Sequence, residues 1–165
     1  MKRSEGLFMK SLLLAAVGAA CVLAGAAAAR AAPLPAEGMT VKEVQTWLLD
    51  SGYKAEKARE DGEDYLRSAA DGVNFEIHLY DCKKDRCASI QMIAGFNLDE
   101  KLTLQKANDW NTNKRFVDCF LDEEGDPWFT YDINLSPGGT REALDDNFGV
   151  WLMFLPDMKE MAGWK

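Results

Sequence analysis

A single histidine, His78, serves the whole 165-residue chain. A zinc centre needs about four ligands, so the pair Cys82/Cys87, even joined by His78, makes at most a half-site. A histidine-activated nucleophile would have to use that same ring. There is no Gly-rich phosphate loop and no Ser/His/Asp set. The abundant acids single out no carboxylate pair for acid–base work. The acid run Asp122-Glu123-Glu124-Gly125-Asp126 fails the EF-hand spacing, which wants glycine sixth and an acid twelfth: those places hold Pro127 and Ile133. It reads as a solvated hairpin turn. The sequence is therefore that of a non-enzyme, with no catalytic residue, metal set or cofactor expected.

Positive charge is also scarce, and unevenly spread. Lys2, Arg3 and Lys10 open the chain, an uncharged stretch runs from Leu12 to Ala29, and Ala29-Arg30-Ala31 follows. A basic start, an apolar middle and an Ala-x-Ala end is the layout of a secretory signal. The reading is a signal peptide over 1–31, cleaved near Ala31, a linker over 32–39 marked by Pro33, Pro35 and Gly38, and one domain over 40–165. The location is then periplasmic or secreted, and membrane contact arises only if the signal segment stays uncleaved. The leader takes four of the 19 basic side chains and one of the 27 acidic ones, leaving 15 against 26 and a net charge near −11. Such a field repels polyanions, so nucleic acid and anionic lipid are excluded as partners.

Cysteine is sparse too: Cys82, Cys87 and Cys119 follow the leader. An odd count outside the cytosol implies one bridge and one leftover thiol. From Val73 to Leu79 the odd positions are apolar and the even ones polar; from Ala88 to Phe96 the parity inverts. Pairing Cys82 with Cys87 sets Leu79 against Ile90, Ile77 against Met92, Phe75 against Ala94 and Val73 against Phe96. A slip of one residue would put Ile77 opposite a polar neighbour. This register places both cysteines on the outer face, within reach of a disulfide. Cys119, between Val117 and Leu121, reads as a buried inert thiol, and His78 as a surface histidine.

The remaining pattern supplies three helices. Thr40 and Glu43 form a capping box for a helix over 41–50, stopped by Gly52. A second helix is expected over 97–113, and a third after Thr140 with the stripe Leu144, Phe148, Trp151, Leu152 and Leu155, kinked or ended at Pro156. Strand candidates are 53–59, 64–70, 73–82 and 87–96, the first three separated by Asp61-Gly62 and Asp71-Gly72, then a hairpin of 116–121 with 128–135. The expected class is α+β: an antiparallel β-sheet of five to six strands with three helices, ordered helix, strand meander, helix, hairpin, helix.

Gly52-Tyr53, the Cys82/Cys87 hairpin, Asn108-Asp109-Trp110-Asn111, Arg115-Phe116, Asp122 with Gly125-Asp126, Asp132 and Gly138-Gly139 occur in an order that resembles the YbjN domain, a family of bacterial sensory transduction regulators. The resemblance spans about residues 39–160. It implies a fold similar to type III secretion chaperones, often homodimeric, and an exported regulator acting by protein–protein interaction or chaperone-like binding on an unidentified protein partner. The alternative is a periplasmic small-ligand sensor. The motif residues Asn108, Trp110, Asn111, Arg115, Phe116, Asp132, Gly138 and Gly139 are expected to be structural or to bind. Trp110 and Phe116 are expected in the core, Asn108 and Asn111 bridging to a strand, and Arg115 paired with Asp132.

Overall fold

The computed structural model describes residues 32–164; the expected signal peptide and its cleavage point lie outside the described residues. The elements are α1 (Val41–Asp50), β1 (Glu56–Glu60), β2 (Glu63–Ala70), β3 (Val73–Lys83), β4 (Arg86–Gly95), α2 (Leu104–Asn113), β5 (Asp118–Leu121), β6 (Pro127–Asn134) and α3 (Arg141–Ala162). The strands form one antiparallel sheet in the order β1-β2-β3-β4-β6-β5, which is the α+β arrangement expected.

Asp61-Gly62 and Asp71-Gly72 carry positive φ at both positions, as two-residue hairpins that match strand twist require. The ladder between β3 and β4 pairs Ile77 with Met92 and Leu79 with Ile90, the register that alternation dictates. These side chains form one core with Val44, Trp47 and Leu48 of α1, Trp110 of α2, and Phe148, Trp151 and Leu155 of α3. At its centre, Phe75 meets Phe148 at 6.2 Å and Trp151 edge-on at 5.6 Å.

Four expectations need correction. The second helix begins at Leu104, not 97, because Thr103 caps it by accepting from the Lys106 amide. Pro156 does not end α3: Met158 is fully buried and Ala162 nearly so, and that burial outweighs the hydrogen bond a helical proline forfeits. The segment read as a linker is a strap on the domain. Pro33 bridges to Thr140 and Met39 to Cys87, the Leu34 amide donates to the Gly139 carbonyl, and the Arg141 amide donates to the Ala32 carbonyl. Finally, the cysteines do not both face outward. Asp81 adopts φ 53°, and Asp81 and Ala88 drop out of the ladder between Tyr80↔Ser89 and Cys82↔Cys87. Strict alternation breaks there: Cys87 is 3% exposed within the core, whereas Cys82 is exposed. The disulfide between them is present.

The strap and α1 meet the β3–β4 hairpin at one node. Met39 and Cys87 exchange both backbone hydrogen bonds, at 3.1 and 2.9 Å. Glu43 completes the capping box by accepting from the Thr40 amide at 2.8 Å, and also receives a bidentate pair from Arg86 at 2.9 Å each. Burial raises the Glu43 carboxyl, but the Thr40 amide and the Arg86 guanidinium outweigh it and the net pKa is lowered. Gly38 passes so close that a Cβ there would lie 2.0 Å from the Cys87 carbonyl oxygen. Gly38→Ala is therefore expected to cost about 2–4 kcal/mol, since it adds a backbone clash to a positive φ. Gly149→Ala, at an open site inside α3, should gain about 0.5–1 kcal/mol. Urea unfolding of the two variants checks both signs.

Candidate functional site

Most of the motif residues converge where α2, the turn after it and α3 meet. Trp110 is buried against Phe129 (4.8 Å) and Phe154 (6.0 Å), and its indole Nε1 donates to the Val117 carbonyl at 2.8 Å. Asn111 reaches the other way. Its Nδ2 donates to the Cys119 carbonyl at 2.9 Å and its Oδ1 accepts from the Cys119 amide at 2.8 Å. One side-chain amide thus acts as a further strand along the free edge of β5, which would otherwise offer unpaired groups to another chain. Asn108 contributes only through its backbone, whose carbonyl accepts from Thr112.

Just before these two anchored positions the chain makes a tight turn. The Val117 amide donates to the Arg115 carbonyl at 2.9 Å, and Phe116, between them, has φ 75°. This is the positive-φ γ-turn, a strained form for a residue with a side chain. The consequence corrects the sequence reading: Phe116 is 52% exposed and not a core residue, because positive φ at that position turns the ring outward. Arg115 lies over the ring at 4.7 Å. It does not pair with Asp132, which is on the outer face of the sheet and accepts from Gln91 at 3.1 and 3.3 Å.

A groove runs along this site between α2 and α3. Trp110, Lys106, Glu160 and Met161 line one hollow of about 370 Å³, and Phe116, Arg115, Met153 and Phe154 line a second of about 360 Å³. Lys114 and Asp157, joined at 2.6 Å, line both. Met153 is 64% exposed. Sequence reasoning passed over it because it lies off the apolar stripe of α3; a lone methionine on the polar side of an amphipathic helix was the available signal. Lys106, Lys114 and Arg115 share this groove with Asp157 and Glu160, so its rim carries charge of both signs.

The glycine pair and the acid run are tied into the fold. Gly138 has φ 104°, and a Cβ there would sit 3.3 Å from the Leu34 carbonyl; the Gly139 carbonyl receives the strap. The acid run is not simply solvated. Asp122 accepts from the amides of Glu124 and Asp126 and from the Trp128 indole. Asp126, 5% exposed, accepts from the Leu98 amide at 2.9 Å and from Lys101 at 2.7 Å, which ties the segment before α2 to the hairpin. The Cys119 thiol is pushed up to about 11 by burial, which keeps it protonated and unreactive. His78 stacks on Tyr65 at 4.8 Å and bonds Glu76 at 2.9 Å. Among the described residues no three His, Cys, Asp or Glu side chains gather to hold a metal.

Residues 40–158 match the YbjN family model, described as "Putative bacterial sensory transduction regulator". No curated protein matches the chain.

Asn111→Ala should lower stability by about 1–3 kcal/mol, since it strands the amide and carbonyl of a buried residue, and should promote self-association through the bared β5 edge, read by sedimentation. Acid sensitivity follows from the hairpin loop. The Asp126 carboxyl is lowered below its ordinary 3.8, chiefly by the Lys101 ammonium and then by the Leu98 amide. The unfolded chain therefore protonates first as pH falls. The contribution of Asp126 is complete above its ordinary value and is lost as pH drops through the folded one. The urea midpoint should fall as the pH drops below about 4, and less steeply in Asp126→Asn.

Proposed function

This chain belongs to the YbjN family, and on that premise we propose that it is an exported, non-enzymatic regulator of sensory transduction that works by holding a protein partner in the groove between α2 and α3. The observation that carries this reading is Phe116. A strained, positive-φ phenylalanine persists only where its surroundings over-determine it, and here Trp110 and Asn111 of the preceding helix hold the chain directly after the turn, at Val117 and Cys119. That strain maintains an aromatic side chain in solvent, beside exposed Met153. Aromatic rings and arginine are the residue types that anchor protein interfaces, and methionine adapts to irregular partners. The rim, basic at Lys106 and Arg115 and acidic at Glu160, favours a segment whose apolar anchors are flanked by charges of complementary sign.

The edges of the sheet offer a partner little. β1 is short and reads Glu-Lys-Ala-Arg-Glu, a charged edge that resists strand addition, and β5 is closed by Asn111. Docking by side chains in the groove remains the better-supported mode. The disulfide is compatible with an oxidising, exported location. A small-ligand sensor with its ligand beneath the helices has less support, because Trp47, Phe75, Phe148 and Trp151 fill that space and none exceeds 3% exposure.

Phe116→Asn keeps a residue type that tolerates left-handed backbone and removes the ring. It should leave the urea midpoint within about 1 kcal/mol of the parent and cut partner binding roughly 10- to 100-fold. The measurement is photo-crosslinking from position 153 in cells, with the partner named by mass spectrometry. Loss of the product in Phe116→Asn, but not in a Leu49→Ser control on α1, is the expected pattern. Equal yields from all three would remove the groove from the function.

A further inference from the structure

The disulfide lies in a surface cleft of about 700 Å³ whose wall includes Cys82, Cys87, Leu79 and Tyr80, with Thr40 and Val41 of the α1 start facing them. The two cysteines are unequal as residues: Cys82 is exposed and Cys87 is 3% exposed. Cys87 is also the residue on which the strap docks, through both backbone bonds to Met39 and the close passage of Gly38. Its neighbour Arg86 holds the Gly38 carbonyl at 2.8 Å and the Glu43 cap of α1. Every bond fastening the strap and the helix start to this hairpin therefore falls on the two residues at and beside one end of the disulfide.

We propose that the Cys82–Cys87 bond is a reversible redox site, a substrate for an accessible dithiol, and that its state sets how firmly residues 38–43 are held. A thiolate of the dithiol attacks the exposed Cys82 Sγ, forming a mixed disulfide and breaking the Cys82–Cys87 bond. Cys87 departs as a thiolate and takes up a proton. The second thiol of the reductant, deprotonating, then attacks its own partner sulfur, releasing Cys82, which is protonated in turn. The protein gains two electrons and two protons, and the dithiol leaves as a disulfide. Once the crosslink is gone the tip of the hairpin opens more often, and Gly38 and Met39 can leave the hairpin with it. The bond closes a loop of only a few residues, so the effect is local, a change in opening equilibrium of roughly thirtyfold. This inference is independent of the α2–α3 groove.

The test is amide hydrogen exchange on the folded protein before and after treatment with dithiothreitol, with intact mass reporting the state of the bond. The expected result is selective reduction under native conditions, roughly thirtyfold faster exchange at Met39 and Cys87, and unchanged exchange at Trp151 in the core of α3. A Cys82→Ser/Cys87→Ser double variant should show the same pattern with no reductant, and reoxidation of the parent should restore slow exchange. Reduction that occurs only when Trp151 also exchanges, or reduction that leaves Met39 and Cys87 unchanged, overturns the proposal.

Discussion

One face of a six-stranded sheet has to be covered, and everything else in the molecule is arranged around that need. The inward residues of β2, β3, β4 and β6 are almost uniformly apolar, and Leu66, Ile77, Ile90, Met92 and Phe129 are completely shielded from solvent. No further strand can cover them, because strands extend a sheet sideways. Helices must lie across the face, and each of the three brings at least one tryptophan or phenylalanine, or a run of leucine and valine, to meet it. The edge-to-face contacts around Phe75 and Phe129 follow from fitting several large rings between one sheet and three helices, a geometry that aromatic quadrupoles favour.

The sheet's free edges are handled by different means. β1 is protected by charge. β5 is too short and apolar for that, and Asn111 closes it by imitating a strand. The same helix that carries Asn111 carries Trp110, so protecting the edge and pinning the turn at Phe116 are done by one turn of α2. A change in either residue would be felt in both places, which is why residues quoted as a motif prove to be neighbours in space.

Departures from local preference cluster in two regions. Asp81, with its left-handed backbone, breaks the alternation of β3 just before the disulfide, and Phe116 holds a conformation suited to glycine at the mouth of the groove. Apart from Pro156 inside α3, local and global signals elsewhere agree: the capping box, Asp-Gly turns and strand parity all point to the same fold, as in sequences with little internal conflict. Positions where that agreement fails are the ones where a role other than folding has to be considered, and they are where the partner groove and the redox site have been placed.

The sequence alone determined the α+β class, the helix over 41–50, the register of β3 on β4 and the cysteine pairing, because each rests on periodicity or on chemistry between residues close along the chain. It could not show that residues 32–39 lie on the domain, since the partners of that strap, Cys87, Gly139 and Thr140, are between about 50 and 110 residues away. Nor could it place Arg115 and Asp132 apart, or turn Phe116 outward; those depended on one backbone angle beside three hydrogen bonds from Trp110 and Asn111. Local pattern specifies which residues want burial. Only tertiary structure decides which of them are left without it.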